Sequence, residues 1–188
     1  MLTTILIIVI GIPVLLIIWG VVTFNKMVSL RNSTEGAWSD IDVMLKKRYD
    51  LIPNLVATVK GYTKHESETL EKVIQARQQA INVKADDVQK QIEAENMLTQ
   101  TLRSVYSLTE SYPELKADAQ FNQLMEQLQQ IETEIERARR YYNAVVRDYN
   151  NATQMFPGAM IAGMGGFQKK PYYEIESVTM RENVKVEF

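Results

Sequence analysis

The sequence predicts an all-α protein: an N-terminal transmembrane helix, an antiparallel up-and-down four-helix bundle and a short extended C-terminal tail. Three observations predict it. Residues 2–24 carry no charged side chain and are dominated by Ile, Leu and Val, and about 20 such residues span a bilayer core. Between residues 26 and 152 apolar residues recur at steps of three and four, the helical period. After residue 155 the chain turns rich in Gly and Pro, which do not sustain a helix. The predicted division is residues 1–25 as anchor, 26–152 as bundle and 153–188 as tail.

The leading segment lacks the basic start, short apolar core and small-residue cleavage site of a removable signal peptide, so it is expected to stay in the lipid. Gly11 and Pro13 lie within it, tolerable in a lipid-embedded helix, and Trp19 falls near one interface. Only the terminal amine precedes it, whereas Lys26, Arg31, Lys46, Lys47 and Arg48 follow, a bias that places the soluble portion on the cytoplasmic side. No Pro or Gly separates Asn25 from Ser33, so the anchor is expected to run on into the first soluble helix. That helix carries Trp38, Ile41, Leu45 and Arg48/Tyr49 along one stripe. Asp50 has the side chain of an N-cap and Pro53 suits a first helical turn, so a tight turn is favoured there over a kink in one continuous helix, which a Pro in the interior would produce, with a second helix from Leu51 to about Asn82. Asp86 is expected to cap a third helix, with Val88, Ile92, Glu95, Leu98, Leu102, Val105 and Thr109 on one face. Tyr112-Pro113 then forces a connection, because a residue before Pro is pushed out of helical backbone. Asp118 opens the longest pattern: Phe121, Leu124, Leu128, Ile131, Ile135, Ala138, Tyr142, Val145 and Tyr149 form a coiled-coil-like seam. Tyr172, Tyr173 and Ile175, and later Val184, Val186 and Phe188, read as short extended pieces. Such pieces are marginal alone in water, and contact with a neighbouring subunit is the expected use of their edges.

The block AWSDIDVMLKKRYDLIPNLVATVKGYTKHE, residues 37–66, resembles the LemA family of bacterial membrane-anchored proteins. YPELKADAQFNQLMEQLQQIETEIERARRYYNAVVRDYN, the Phe156-Pro157 and Gly166-Phe167 pairs and the closing VKVEF agree with that resemblance. It implies a bromodomain-like helical bundle anchored in the bacterial inner membrane by a single pass, and it brings no established reaction. It also implies as a possible partner a membrane metalloprotease or TPM-domain protein, since genes for such proteins often neighbour those of the family.

Composition narrows the chemistry. Lys and Arg total 21 against 23 Asp and Glu, a net charge of -2, which gives no global attraction to nucleic acid. The absence of Cys removes thiol nucleophiles, thiolate metal sites and disulfides. His65 is the sole histidine, so neither an HExxH site nor a di-metal bundle with two Glu-x-x-His motifs can be assembled. Glu35, Asp40 and Asp42, or Glu93 and Glu95, suggest carboxylate clusters, but a spacing of two sends side chains to different faces of a helix, and solvation is the expected state. Glu132, Glu134 and Glu136 interleave with Arg137, Arg139 and Arg140 as an ordinary charged surface, and Lys46-Lys47-Arg48 is expected to be solvated or paired between subunits. The tyrosines 49, 62, 106, 141, 142 and 149 read as core.

The expected function is therefore a non-enzymatic, membrane-anchored scaffold that self-associates into a homo-oligomer, with an adaptor for a membrane protease or envelope-stress complex as the alternative. No catalytic residue, cofactor, metal, nucleic acid or small-molecule substrate is expected; the lipid bilayer, through residues 2–24, and further copies of the chain are the expected partners. The expected interaction residues are Trp38, Asp40, Asp42, Arg48, Asp50, Pro53, Asn54 and Phe167.

Overall fold

The computed structural model describes residues 2–63, 66–84 and 87–174, with side chains from residue 9 onward. Among these residues the chain is all-helical and contains no strand: α1 Leu2–Tyr62, α2 Ser67–Asn82, α3 Val88–Ser111, α4 Pro113–Ala117, α5 Ala119–Gln154 and α6 Gly158–Gly165. Two compact units are present, one from residues up to Asp40 together with Ala138–Tyr172, the other built on Ile41–Arg137. Helices α1 and α5 each contribute to both.

The expected continuity from anchor to soluble helix is observed, since α1 is a single helix of 61 residues. The expected turn at Asp50 and Pro53 is not. Pro53 has no N–H, so the carbonyl of Tyr49, one turn back, loses its intrahelical donor. Arg77 of α2 supplies the replacement, its Nε donating to Tyr49 O at 2.8 Å. Asp50 caps nothing and pairs with Lys46 at 2.8 Å on the surface. The break falls instead between Tyr62 and Ser67, so the predicted helix from Leu51 to Asn82 is two helices. The apolar stripe itself has a gap there, from Val59 to Leu70, and Gly61 and β-branched Thr63 both weaken a helix.

In the unit built on Ile41–Arg137, the core joins Ile52, Leu55, Val56 and Val59 of α1, Leu70, Val73, Ala76 and Ala80 of α2, Leu98, Val105 and Leu108 of α3, Leu115 of α4, and Phe121, Leu124 and Leu128 of α5. The cap of α3 is Asp87, one residue after the one expected, and its side chain accepts from the Lys90 backbone N–H at 3.1 Å. Asp118, where the longest sequence pattern opens, caps α5, accepting from Phe121 N–H at 2.6 Å. The connection at Pro113 folds into α4, with Pro at its start, where no intrahelical donor is needed, and Leu115 buried.

In the other unit Met27, Tyr149, Ala162 and Phe167 form a small core with Val28, Leu30 and Ile161 against it. The predicted extended tail is corrected here, because residues 158–165 are the helix α6. Gly158 permits it: a Cβ there would lie 2.4 Å from the Ala152 carbonyl oxygen. Gly166 ends it in left-handed backbone (φ 68°), with Phe167 N–H donating to Ala162 O at 3.0 Å, a helix stop that glycine allows without strain. The segment that follows is irregular and is tied to α5 by side chains. The Asn150 amide donates to Lys170 O (3.0 Å) and accepts from Lys170 N–H (2.9 Å), and Tyr142 OH donates to Pro171 O (3.1 Å). The expected strand pieces from Ile175 onward lie outside the described residues, as does His65.

Candidate functional site

The feature that departs most from a plain helical core is a buried ionic network around Arg48. Its position follows from the helix period, since Arg48 continues the inward stripe of Ile41 and Leu45 on α1. The Arg48 guanidinium is fully buried. It donates through Nη2 to Glu95 of α3, itself fully buried, and through Nη1 to Glu132 of α5 and to Thr99 Oγ1 at 3.1 Å. Its Nε is buried without a hydrogen-bond partner. Glu95 also accepts from Tyr49 OH and from Gln91 Nε2, the latter at 2.9 Å, and Gln91 further donates to Tyr49 OH at 3.0 Å. Burial pushes the Tyr49 phenol up to about 12, against the opposing pull of Arg48 and the Gln91 hydrogen bond. The phenol is therefore a neutral donor at physiological pH, and its proton serves Glu95. Two carboxylates share one cation here through its two terminal nitrogens, which suits a lock between α1, α3 and α5: charges taken out of water offset their desolvation only when hydrogen-bonded in good geometry.

Beside this lock runs a shallow groove lined by Asp42, Lys46, Tyr49, Asp50, Ile81 and Gln91, among others. Asp42 opens onto it with its carboxyl pKa raised from its ordinary value by desolvation. A second groove lies over Ile52, Pro53, Val56, Ile74 and Arg77.

The structure sorts the predicted interaction residues. Asp40, Asp42, Asp50, Pro53 and Asn54 are exposed. Trp38 is half-buried with its ring edge-on to Tyr142 at 5.4 Å. Phe167 is buried, edge-on to Phe24 at 5.4 Å with the Arg31 guanidinium 5.5 Å over its ring. Arg48 is neither solvated nor free for another subunit, because its guanidinium is taken inside the chain. Glu95 and Glu132, read as surface carboxylates, are its partners, and Arg139 is buried as well. A signal for Glu95 was present: it sits three residues after Ile92 and three before Leu98, on the apolar face. Glu132 carried none, being one of three alternating glutamates. Of the tyrosines expected in the core, Tyr142 and Tyr149 are buried, whereas Tyr62, Tyr106 and Tyr141 are exposed. Tyr62 OH donates to Asp118 at 2.8 Å, an acceptor that raises its pKa.

Known proteins bear on this arrangement. Protein LemA of Metamycoplasma hominis is 26% identical over 132 residues, a stretch covering 70% of this chain and 60% of that relative. The chain thus spans less than two thirds of that relative's length. A model described as the LemA family matches residues 37–188, a range that takes in the Arg48 network, Pro53 of α1 and α6 together, and by that match the chain belongs to the LemA family.

Proposed function

We propose that this protein is a non-enzymatic scaffold, held in the membrane by residues 2–24, that presents a four-helix, bromodomain-like antiparallel bundle and assembles into homo-oligomers. The observation that carries the reading is α1. From Val9 to Phe24 its apolar side chains are exposed on all sides, Leu15 and Ile17 by 67% and 66%, while residues 52–59 of the same helix are core. A helix that is apolar all round needs lipid or protein about it, and the first part of α1 is long and apolar enough to cross a membrane. Chains confined to two dimensions reach high effective concentrations, so weak lateral contacts sum to stable assemblies. Exposed Asp40, Asp42, Asp50, Pro53 and Asn54 are the contact residues of this reading, and the basic residues after the span support a cytoplasmic bundle.

The test is the mass of full-length protein in mild detergent and the crosslinking pattern in native membranes. Particles at a fixed multiple of the 21.6 kDa chain, with crosslinks between copies, support the scaffold. A monomer at every concentration with no crosslinked dimer overturns self-assembly, and a second protein held at fixed stoichiometry replaces it with a protease or envelope-stress adaptor.

A further inference from the structure

The anchor is not the sole apolar surface in its unit. From Tyr149 to Gln168 no side chain is charged, and this stretch contains α6. One side of α6 is packed: Ala162 is buried, and Ile161 Cδ1 lies 3.8 Å from where a Cβ on Gly20 of the anchor would stand. Just after α6, Phe167 packs on Phe24, the last residue of the uncharged span. Gly165 makes that junction possible, since a Cβ there would fall 2.6 Å from the Phe167 ring and 3.0 Å from the Phe24 ring. The other side of α6 holds large apolar groups in the open, Met160 at 62% and Met164 at 87% exposure, and in the turn just before it Phe156 is 83% exposed.

We propose that α6 is a second membrane-contacting element, with Phe156, Met160 and Met164 seated in the interfacial layer of the leaflet where the anchor ends. The proposal rests on the anchored reading of residues 2–24. Depth argues for lipid as the occupant. Gly20 lies four residues before the end of the span, about 6 Å at a helical rise of 1.5 Å per residue, and an interfacial helix sinks its apolar face about 5–10 Å into the headgroup boundary. Charge argues the same way. Lys26 and Arg31 follow the span, Lys169 follows Phe167, and all three are exposed, a basic collar at the level where lipid phosphates lie. Methionines, flexible and without polar hydrogens to satisfy, adapt to a fluid acyl surface.

The chain has no Cys, so single-cysteine variants report cleanly. Met164→Cys, Met160→Cys and, within the anchor, Leu16→Cys are each labelled with an environment-sensitive fluorophore. The labelled full-length proteins are reconstituted into vesicles of phosphatidylcholine and phosphatidylglycerol. Spin-labelled phosphatidylcholine probes contact with lipid, and iodide probes contact with water. The expected result is lipid quenching at positions 160 and 164 of about twofold or more, as at position 16, with iodide excluded, as burial to interfacial depth requires. Iodide quenching at 160 and 164 with lipid quenching at 16 overturns the proposal and leaves the anchor standing. Labels at 160 and 164 reached by neither quencher show a protein covering the face and overturn it too. Iodide quenching at position 16 removes the anchored reading and the proposal with it. The two α6 positions are more than half exposed, so their substitution leaves the packed side of the helix untouched.

Discussion

Replacing Arg48 by methionine is the sharpest test of the buried lock. The substitution conserves an unbranched side chain and deletes the donors to Thr99, Glu132 and Glu95. Glu132 is 28% exposed and can recover water. Glu95 is fully buried and keeps only the Tyr49 hydroxyl and the Gln91 amide. Removing one partner of a buried pair costs about 3–5 kcal/mol because the remaining charge is uncompensated, and most of that falls here on Glu95. Exchanging both charges for apolar groups is often close to neutral, so Arg48→Met/Glu95→Leu is expected within about 2 kcal/mol of the parent. The assay is urea unfolding of the full-length chain in mild detergent, followed by circular dichroism, with Glu95→Leu completing the cycle. Coupling of at least about 2 kcal/mol between the two sites is expected. Additivity within about 0.5 kcal/mol would refute the argument, since it is what independent sites show.

Three further outcomes follow from particular contacts. Arg77→Met strands the Tyr49 carbonyl and is expected to cost about 1–3 kcal/mol; in a Pro53→Ala background, where residue 53 supplies its own N–H, the same change should cost markedly less in the same unfolding assay. Gly158→Ala forces a Cβ against the Ala152 carbonyl and should lower stability by about 1–3 kcal/mol, whereas Gly36→Ala, with nothing within 4 Å of its Cβ, should raise it by about 0.4–1 kcal/mol; thermal melts of the two variants check both signs. Tyr49 has its folded pKa raised from 10.0 to about 12, so its contribution is fully present below pH 10 and is lost as pH rises toward 12, by about 2 kcal/mol at most after solvent screening. Tyr49→Phe should remove that share of the alkaline slope, and a parent without any such slope would contradict the burial of the phenol.

The helical character of the chain was legible because the inward stripes recur at the helical period, and the long helix after Asp118 was legible for the same reason. What escaped depended on partners distant in sequence. Pro53 with Asp50 carries every local mark of a helix start, and the donor that replaces the missing N–H comes from Arg77, on another helix. Arg48 lies on the inward stripe of α1, yet its run with Lys46 and Lys47 reads locally as a solvated basic face. Glu95 betrayed itself by its apolar flanks, while Glu132 did so only through the fold. Helix α6 was missed because its glycines count against a helix by propensity, whereas their lack of a Cβ is what lets the segment pack against Ala152, Phe24 and Phe167.

The hydrogen bond at Pro53 makes the unbroken course of α1 conditional. A helix closed entirely by its own donors keeps its form alone, but this one closes at Tyr49 with a donor from its neighbour. Were α2 to undock, that carbonyl would lose its donor while the proline ring still pressed on it and pushed residue 52 toward extended backbone. Bending would then begin at the place where the local sequence already marks a joint, and the bond from α2 is the splint laid across it.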